Sequence, residues 1–206
     1  MIKLFQFVFG FVKVPLSEVA SFSYGYTDKA KERGSARFIR ITDIGDNGYL
    51  NPFDEKYVDI NEENKKYLLK TGDLLMARTG ATFGKTLYVP DDSPAIYASF
   101  LIKITPNPFL LSNRYYWHFS KSSIYWEQAN RLVTTGGQPQ FNSNALKQVT
   151  ITIPSLDEQT RIVKVLDEFD ALLNNITDGL PAEIEARWKQ YEHYRDQLLT
   201  FKELEQ

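Results

Sequence analysis

The residues best suited to chemistry lie in two loops that combine cations, hydroxyls and amides. Residues 77–86 read ARTGATFGKT, and residues 138–144 are rich in Gln and Asn. Arginine, lysine and hydroxyl groups contact DNA phosphates, arginine also reads guanine, and Gln or Asn suits adenine. Together with two arginines that flank an earlier strand, these loops predict a set of DNA-contacting residues: Arg37, Arg40, Arg78, Thr79, Gly80, Lys85, Thr86, Gln138, Gln140 and Asn142.

The first of these loops only partly matches a nucleotide-binding motif. A phosphate-binding loop of the P-loop type requires four residues between its glycines, whereas three separate Gly80 from Gly84. The missing residue changes which backbone N–H groups converge on a phosphate. The chain also lacks a G-x-G-x-x-G fingerprint, so we predict no cofactor.

A metal-dependent nuclease remains an alternative. Asp43 or Asp46, together with Asp54 and Lys56, could place two carboxylates and a lysine around Mg²⁺. The proline that typically precedes such an aspartate is absent, and acidic residues are common in solvated turns. The two histidines lie 75 positions apart and give no plausible Ser-His-Asp set. We therefore predict no catalytic residue and no metal site.

Composition excludes several other classes. The 206 residues include no Cys, which rules out a thiol nucleophile, a disulfide framework and a cysteine-ligated zinc. A hydrophobic content of 43% and an aromatic content of 14% are those of a folded domain. No apolar run approaches the ~20 residues that a membrane helix needs. These features predict a cytoplasmic protein with no membrane partner.

Charge is divided unevenly along the chain. Residues 1–155 carry 18 Lys and Arg against 14 Asp and Glu, a net charge of +4. Residues 156–206 carry 6 against 12, a net charge of −6. Such asymmetry indicates that the two parts have different partners.

Residues 1–154 have the pattern of an α+β domain with a mixed, curved sheet. Short alternating or apolar runs separated by turn residues predict strands at 38–44, 56–60, 74–77, 85–89, 95–105 and 149–153. Apolar spacing predicts a helix over residues 109–133. The apolar residues 4–12 are typical of a buried strand, an interface segment or, more weakly, a signal-peptide core.

Residues 155–206 have the pattern of a long, antiparallel, coiled-coil-like helix pair. Ser155 and Glu158 fit a capping box, and Gly179 and Pro181 fit the end of one helix and the start of the next. Apolar residues of the first helix recur at intervals of 4, 3, 4 and 3. The predicted helix-contact residues are Ile162, Leu166, Phe169, Leu173, Ile176, Ile184, Trp188, Tyr191 and Leu198.

Five segments resemble the DNA-specificity subunits of type I restriction–modification systems. The most specific is the segment at 149–173, in which a strand is followed by a proline and a heptad helix. The segments are FIRITDI (38–44), GDLLMARTGATFGKTLYVP (72–90), GGQPQFN (136–142), VTITIPSLDEQTRIVKVLDEFDALL (149–173) and PAEIEARWKQYEHYRDQLLTF (181–201).

This resemblance implies a target-recognition domain at residues 1–154 and a helical spacer at 155–206. Members of the family are noncatalytic: they select a sequence in double-stranded DNA and recruit methyltransferase and restriction subunits. The methyl donor is then held by a partner. Full-length members carry two recognition domains and two helical regions, whereas this sequence has one of each.

We therefore expect a homodimer. Two long helices with apolar residues on more than one face can bury only part of that surface against each other, so a second helix pair would complete a bundle. Two identical, inverted recognition domains would read an interrupted palindrome. The alternative is one half of a split or truncated subunit that needs a different partner.

Overall fold

The computed structural model describes residues 2–134, 137, 139–174 and 181–201. The side chains of residues 5, 7, 9, 173, 174 and 181–184 lie outside this description. The α+β class and the two long helices after Pro154 are confirmed.

Strands of the described residues form three small sheets. A two-stranded sheet pairs the first and last strands antiparallel: β1 (Phe11–Pro15) and β9 (Thr150–Pro154). A four-stranded antiparallel sheet has the spatial order β2 (Ala20–Tyr24), β8 (Leu101–Pro106), β5 (Leu74–Ala77) and β6 (Thr86–Tyr88). A three-stranded mixed sheet has the order β4 (Tyr57–Val58), β3 (Ala36–Ile39) and β7 (Ala95–Tyr97), with β3 parallel to β7.

Helices lie at both ends of the chain and between the last two strands. They are α1 (Ile2–Phe9), α2 (Asn113–Phe119), α3 (Ser123–Leu132), α4 (Ser143–Leu146), α5 (Leu156–Asn174) and α6 (Pro181–Leu199). Residues 4–12 therefore form a helix followed by the start of a strand, rather than one continuous strand.

Two predicted elements are each divided in the structure. The expected strand at 95–105 becomes β7 and β8, with a corner at residues 98–100 where the chain passes from one sheet to another. The expected helix at 109–133 breaks into α2 and α3. Ser122 ends that break, because its hydroxyl accepts a hydrogen bond from the backbone N–H of Tyr125 and caps α3.

The main hydrophobic core is shared between the strand-rich part and the terminal helices. Ile162, Leu166, Tyr191 and Leu199 are at most 3% exposed and belong to the same cluster as Met76 and other core residues of the sheets. The helix pair therefore packs on its own chain. Of the predicted helix-contact residues, Phe169, Trp188 and Leu198 are partly buried against this core, and Ile176 and the side chains of Leu173 and Ile184 lie outside the described residues.

Gln159 fastens the start of α5 to the rest of the chain. Its side chain is fully buried, and its amide nitrogen donates to the carbonyl oxygens of Leu110 (2.8 Å) and Pro154 (3.0 Å). Its amide oxygen accepts from the backbone N–H of Ser112 at 2.9 Å. A buried amide with three partners fixes one orientation of the helix, because each lost partner would leave a polar group unsatisfied.

The helices α5 and α6 run antiparallel. Phe169 of α5 stacks on Tyr194 of α6 with ring centres 6.0 Å apart. The ring centre of Phe201, just after α6, lies 5.2 Å from that of Phe11, which pairs with Pro154, two residues before α5 begins. The end of α6 has thus returned to the start of α5, as the sequence predicts. Within the described part of the chain, no helix is long and apolar enough to span a membrane.

Candidate nucleic-acid interface

Arg78 lies directly after β5 and is held between two aromatic rings. Its guanidinium carbon is 5.3 Å from the ring centre of Tyr24 and 5.2 Å from that of Phe100. Both rings are surface residues, with 43% of Tyr24 and 51% of Phe100 exposed. Aromatic faces attract a guanidinium and restrict its orientation, so the cation is held at the surface in a defined plane.

The outer edge of this guanidinium is free to bind a ligand. The Nε of Arg78 donates to the carbonyl oxygen of Ser99 at 3.2 Å. Among the described residues, neither Nη has a hydrogen-bond partner and no carboxylate lies within ion-pair distance. Arg78 therefore presents two donors in one plane, the arrangement that binds phosphate or the guanine edge in a bidentate manner.

Glycine at position 25 allows the two rings to approach each other. A Cβ at Gly25 would lie 2.3 Å from the carbonyl oxygen of Ala98 and 2.4 Å from that of Tyr97, closer than atoms can approach. The end of β2, which carries Tyr24, can therefore pass directly against the corner that carries Phe100.

The second predicted loop lies against the first. The amide nitrogen of Gln140 donates to the Thr79 hydroxyl at 2.8 Å, and the backbone N–H of Gly80 donates to the carbonyl oxygen of Pro139 at 3.2 Å. Asn142 caps α4 by accepting from two backbone N–H groups, and Gln138 lies outside the described residues. The structure thus brings Arg78, Thr79, Gly80 and Gln140 together. Thr79 binds Gln140, and Asn142 caps α4.

Arg37 and Arg40 are engaged elsewhere in ion pairs. Arg37 pairs with Glu55 at 3.0 Å. Arg40 pairs with buried Asp43 at 3.0 Å and with Asp54 at 3.3 Å. These contacts brace the turns around the three-stranded sheet, and none of them joins either arginine to the Arg78 loop.

Lys85 and Thr86 also make their side-chain contacts with residues other than the Arg78 side chain. Lys85 pairs with Asp46 and lines a cleft of about 410 Å³ between the strand-rich part and α6. Thr86 is only 3% exposed, and its hydroxyl lies 3.4 Å from the carbonyl oxygen of Gly84. Their contacts therefore give no support to the predicted DNA contacts of these two residues.

The acidic residues that suggested a nuclease are neutralised by cations. Asp43 pairs with Arg40, Asp46 with Lys85, and Asp54 with Lys56 at 2.7 Å. Across the described ranges, no group of three or more carboxylates or histidines is placed to hold a metal ion. The phosphate-loop resemblance also fails structurally, because Gly80–Thr82 forms a single 3₁₀ turn instead of the start of a helix.

A partly buried polar network joins α2 and the residues after it to α5. Asp167 accepts hydrogen bonds from Arg114 at 2.8 Å and from fully buried His118 at 2.7 Å. Asp170 pairs with Lys121 at 3.1 Å and accepts from the Tyr49 hydroxyl at 2.5 Å. These bonds connect the helix pair to the domain that carries Arg78.

Burial is the largest cause of the pKa shifts of His118 and Lys121 in this network. Burial lowers the pKa of His118 from 6.5 to about 4, with Asp167 opposing the shift. Burial also lowers the pKa of Lys121, to about 8, with Asp170 opposing the shift. Burial raises the pKa of Asp167, but the contacts with His118 and Arg114 outweigh it and leave the pKa below its usual value. At neutral pH, His118 is therefore uncharged.

We expect the chain to lose stability as pH falls from 6.5 to 4. In this range the unfolded chain protonates His118 and the folded chain does not, so the unfolded state binds more protons. The depressed pKa of His118 predicts a loss on the order of 3 kcal/mol across that window. Denaturant titrations at several pH values test this.

The matched comparison uses the second histidine. His118→Gln should flatten the dependence on pH, whereas His193→Gln, at an exposed position of α6, should leave it unchanged. An unaltered slope in His118→Gln would show that other groups control the acid sensitivity.

Tyr24 and Phe100 were missed by the sequence analysis. In an unbroken strand over 95–105, Phe100 would have the same parity as buried Ile96 and Ile102, so alternation assigns it to the core. Tyr24, beside Gly25, carried a signal that could have been used, because a glycine at a strand end often marks a close backbone approach.

Known relatives share most of this chain. The family described as Type I restriction modification DNA specificity domain matches residues 10–186. A type I restriction enzyme specificity subunit of Haemophilus influenzae is 39% identical over 143 residues, covering 68% of this chain and 35% of the relative. The EcoprrI specificity subunit of Escherichia coli is 30% identical over 205 residues, covering 92% of this chain and 50% of the relative. The chain thus spans half or less of the length of these relatives.

The fold is also found among solved structures. The S subunit of a type I restriction–modification system from M. genitalium superimposes with a TM-score of 0.59 at 15% identity, covering 80% of this chain and 40% of that one. The matched residues include the Arg78 loop, all of α5 and the start of α6. This chain therefore belongs to the family of type I restriction–modification DNA specificity domains.

Proposed function

We propose that this chain is a noncatalytic DNA sequence-recognition unit of a type I restriction–modification complex. Residues 1–154 would bind double-stranded DNA, and the helices after Pro154 would contact protein partners. Methyltransferase and restriction subunits would supply the catalysis, and the methyl donor would be held by the methyltransferase. The observation that carries this proposal is the Arg78 guanidinium, which lies between two exposed rings and whose Nη groups have no hydrogen-bond partner among the described residues.

The charge distribution supports this division of roles. The net charge of +4 on residues 1–155 favours a polyanion, and the net charge of −6 on the remainder disfavours DNA along the helices. Each phosphate contact releases condensed counterions, so the affinity for DNA should fall steeply as salt concentration rises.

The helix pair would act as a spacer in a homodimer. Among the described side chains of α5 and α6, several apolar or aromatic ones remain exposed or only partly buried, including Phe169, Leu172, Trp188, Tyr194 and Leu198. A second copy packed antiparallel on these residues would place two recognition domains at opposite ends of the helices. A 19-residue helix is about 28 Å long, close to one turn of DNA, so the half-sites would lie about one turn apart.

Mapping of DNA methylation tests this proposal. The chain is combined with the methyltransferase subunit of its system, and methylated positions are located across a genome. We expect an interrupted palindrome, because a symmetric dimer presents two identical readers. An asymmetric motif would require a second, different specificity chain, and the absence of any sequence preference would refute DNA recognition itself.

Light scattering tests the homodimer independently. We expect the mass of two chains, twice 23.8 kDa, with dissociation on dilution. A mass of one chain that does not change with concentration would favour the alternative, in which this chain is one half of a split subunit that needs a different partner.

A further inference from the structure

The two rings around Arg78 have surface left for a ligand. About half of Phe100 and somewhat less of Tyr24 are exposed, although each also packs on the guanidinium. We propose that Phe100 contacts the methyl group of a thymine next to a guanine that Arg78 reads, while Tyr24 holds the arginine in position. This inference rests on the proposed function and adds the base step that this loop would recognise.

The surroundings of Arg78 favour a base edge over a phosphate. Rings lie against the guanidinium, so its edge with both Nη groups is the surface left for an acceptor. The planar O6 and N7 of guanine match that edge. A bound phosphate keeps charged oxygens that need water or further cations, and Tyr24 and Phe100 provide apolar surface instead. Among the described residues, no other cation is within contact distance of these two rings.

The two rings have different attachments. The Tyr24 hydroxyl lies 2.9 Å from the hydroxyl of Ser143 and accepts from the Ser143 backbone N–H at 3.2 Å. This ring is therefore tied to the start of α4, and its place beside Arg78 is fixed. Phe100 has no polar atom on its ring, and its position is set through the backbone, where its carbonyl oxygen accepts from the Arg78 N–H at 3.0 Å.

The apolar ring of Phe100, beside the Arg78 guanidinium, suits contact with an apolar group in the major groove of DNA. The thymine 5-methyl is the apolar group that the bases present there, and phenylalanine is among the side chains that contact it. Because Phe100 and Arg78 are adjacent, the methyl would belong to a base neighbouring the guanine. Burial of one methyl group is worth about fourfold in affinity.

The experiment joins changes in the protein to changes in the DNA. A random duplex library is first used with the full chain to select a preferred site. Each thymine of that site is then replaced singly by deoxyuridine, which removes only the methyl group. We expect one replacement, next to the guanine whose recognition is lost in Arg78→Ala, to weaken binding by the unmodified chain about fourfold.

The variants decide whether Phe100 is responsible. Phe100→Ala should bind thymine and deoxyuridine equally at that position, and Phe100→Leu should retain part of the difference. Tyr24→Phe keeps the ring but loses the bond to Ser143, so it should weaken the selected site without abolishing the preference for thymine.

Three results would overturn the inference and leave DNA recognition intact. They are a selected site with no thymine beside that guanine, a methyl effect that is the same in Phe100→Ala, and no methyl effect at any position. If selection yields no preferred sequence, it is the proposed function that fails. Melting temperatures of all variants show whether each is folded.

Discussion

Leu166→Asp is expected to lower the free energy of unfolding by about 3–5 kcal/mol, the largest effect that we predict for a single substitution. Leu166 is fully buried in the main core, where α5 packs on the strand-rich part of its own chain. The substitution removes a buried apolar side chain and places a carboxylate there without a cation. Chemical denaturation measures the change, and we expect the helix pair to detach or the whole chain to unfold.

A control on the same helix separates burial from charge. Ala171→Asp adds the same carboxylate at an exposed position five residues later, and should change stability by less than about 0.5 kcal/mol. If both variants lose the same stability, the cause is negative charge on α5 and not its packing. A dimer that dissociates while each chain stays fully folded would instead place Leu166 between two copies.

Arg78→Ala is expected to weaken binding to the correct DNA site by about 5- to 150-fold at constant salt, corresponding to 1–3 kcal/mol for a bidentate contact. The substitution removes two Nη donors that have no partner among the described residues, and the side chain is partly exposed, so the fold and the helix pair should be unaffected. Fluorescence anisotropy with the selected duplex and with a scrambled duplex measures the effect. The scrambled duplex should show a much smaller loss.

Two further variants interpret that result. Arg78→Lys keeps the charge but loses the planar fork, so it should recover non-specific binding and not selectivity. Arg131→Ala removes a cation from an exposed position of α3, and should lower affinity for both duplexes slightly and equally. Equal losses for Arg78→Ala on both duplexes would assign Arg78 to a phosphate.

Sequence patterns within a few residues correctly predicted those strands, helix starts and caps that depend on neighbouring residues. The strand at 74–77 is found with the predicted bounds, and the helix expected after the Ser155 cap begins at Leu156. The backbone N–H of Glu158 does donate to the Ser155 hydroxyl at 3.3 Å, as half of a capping box requires. Each of these features involves residues fewer than five positions apart.

Features that depend on distant residues could not be predicted in this way. Heptad spacing identifies the apolar face of α5, but the same spacing suits a face buried by its own domain or by a second chain. Ile162 and Leu166 lie on such a face, and here the domain buries them. The roles of the arginines also depend on distant residues. Arg37 and Arg78 cannot be distinguished by their sequence neighbours, but in the structure Arg37 pairs with Glu55 and Arg78 lies between two rings.

The shared core has a consequence for how such genes can recombine. A gene fusion at Pro154 that exchanged residues 1–154 between relatives would set a foreign surface against Ile162, Leu166 and Tyr191. It would also require the new loop at 110–112 to offer the carbonyl and N–H groups that Gln159 uses. Exchange of target preference by recombination should therefore succeed when α5 and α6 travel with their own domain. A crossover at Pro154 would transfer the loops around Arg78 and Gln140. It would not transfer the helices whose side chains complete the core of that domain.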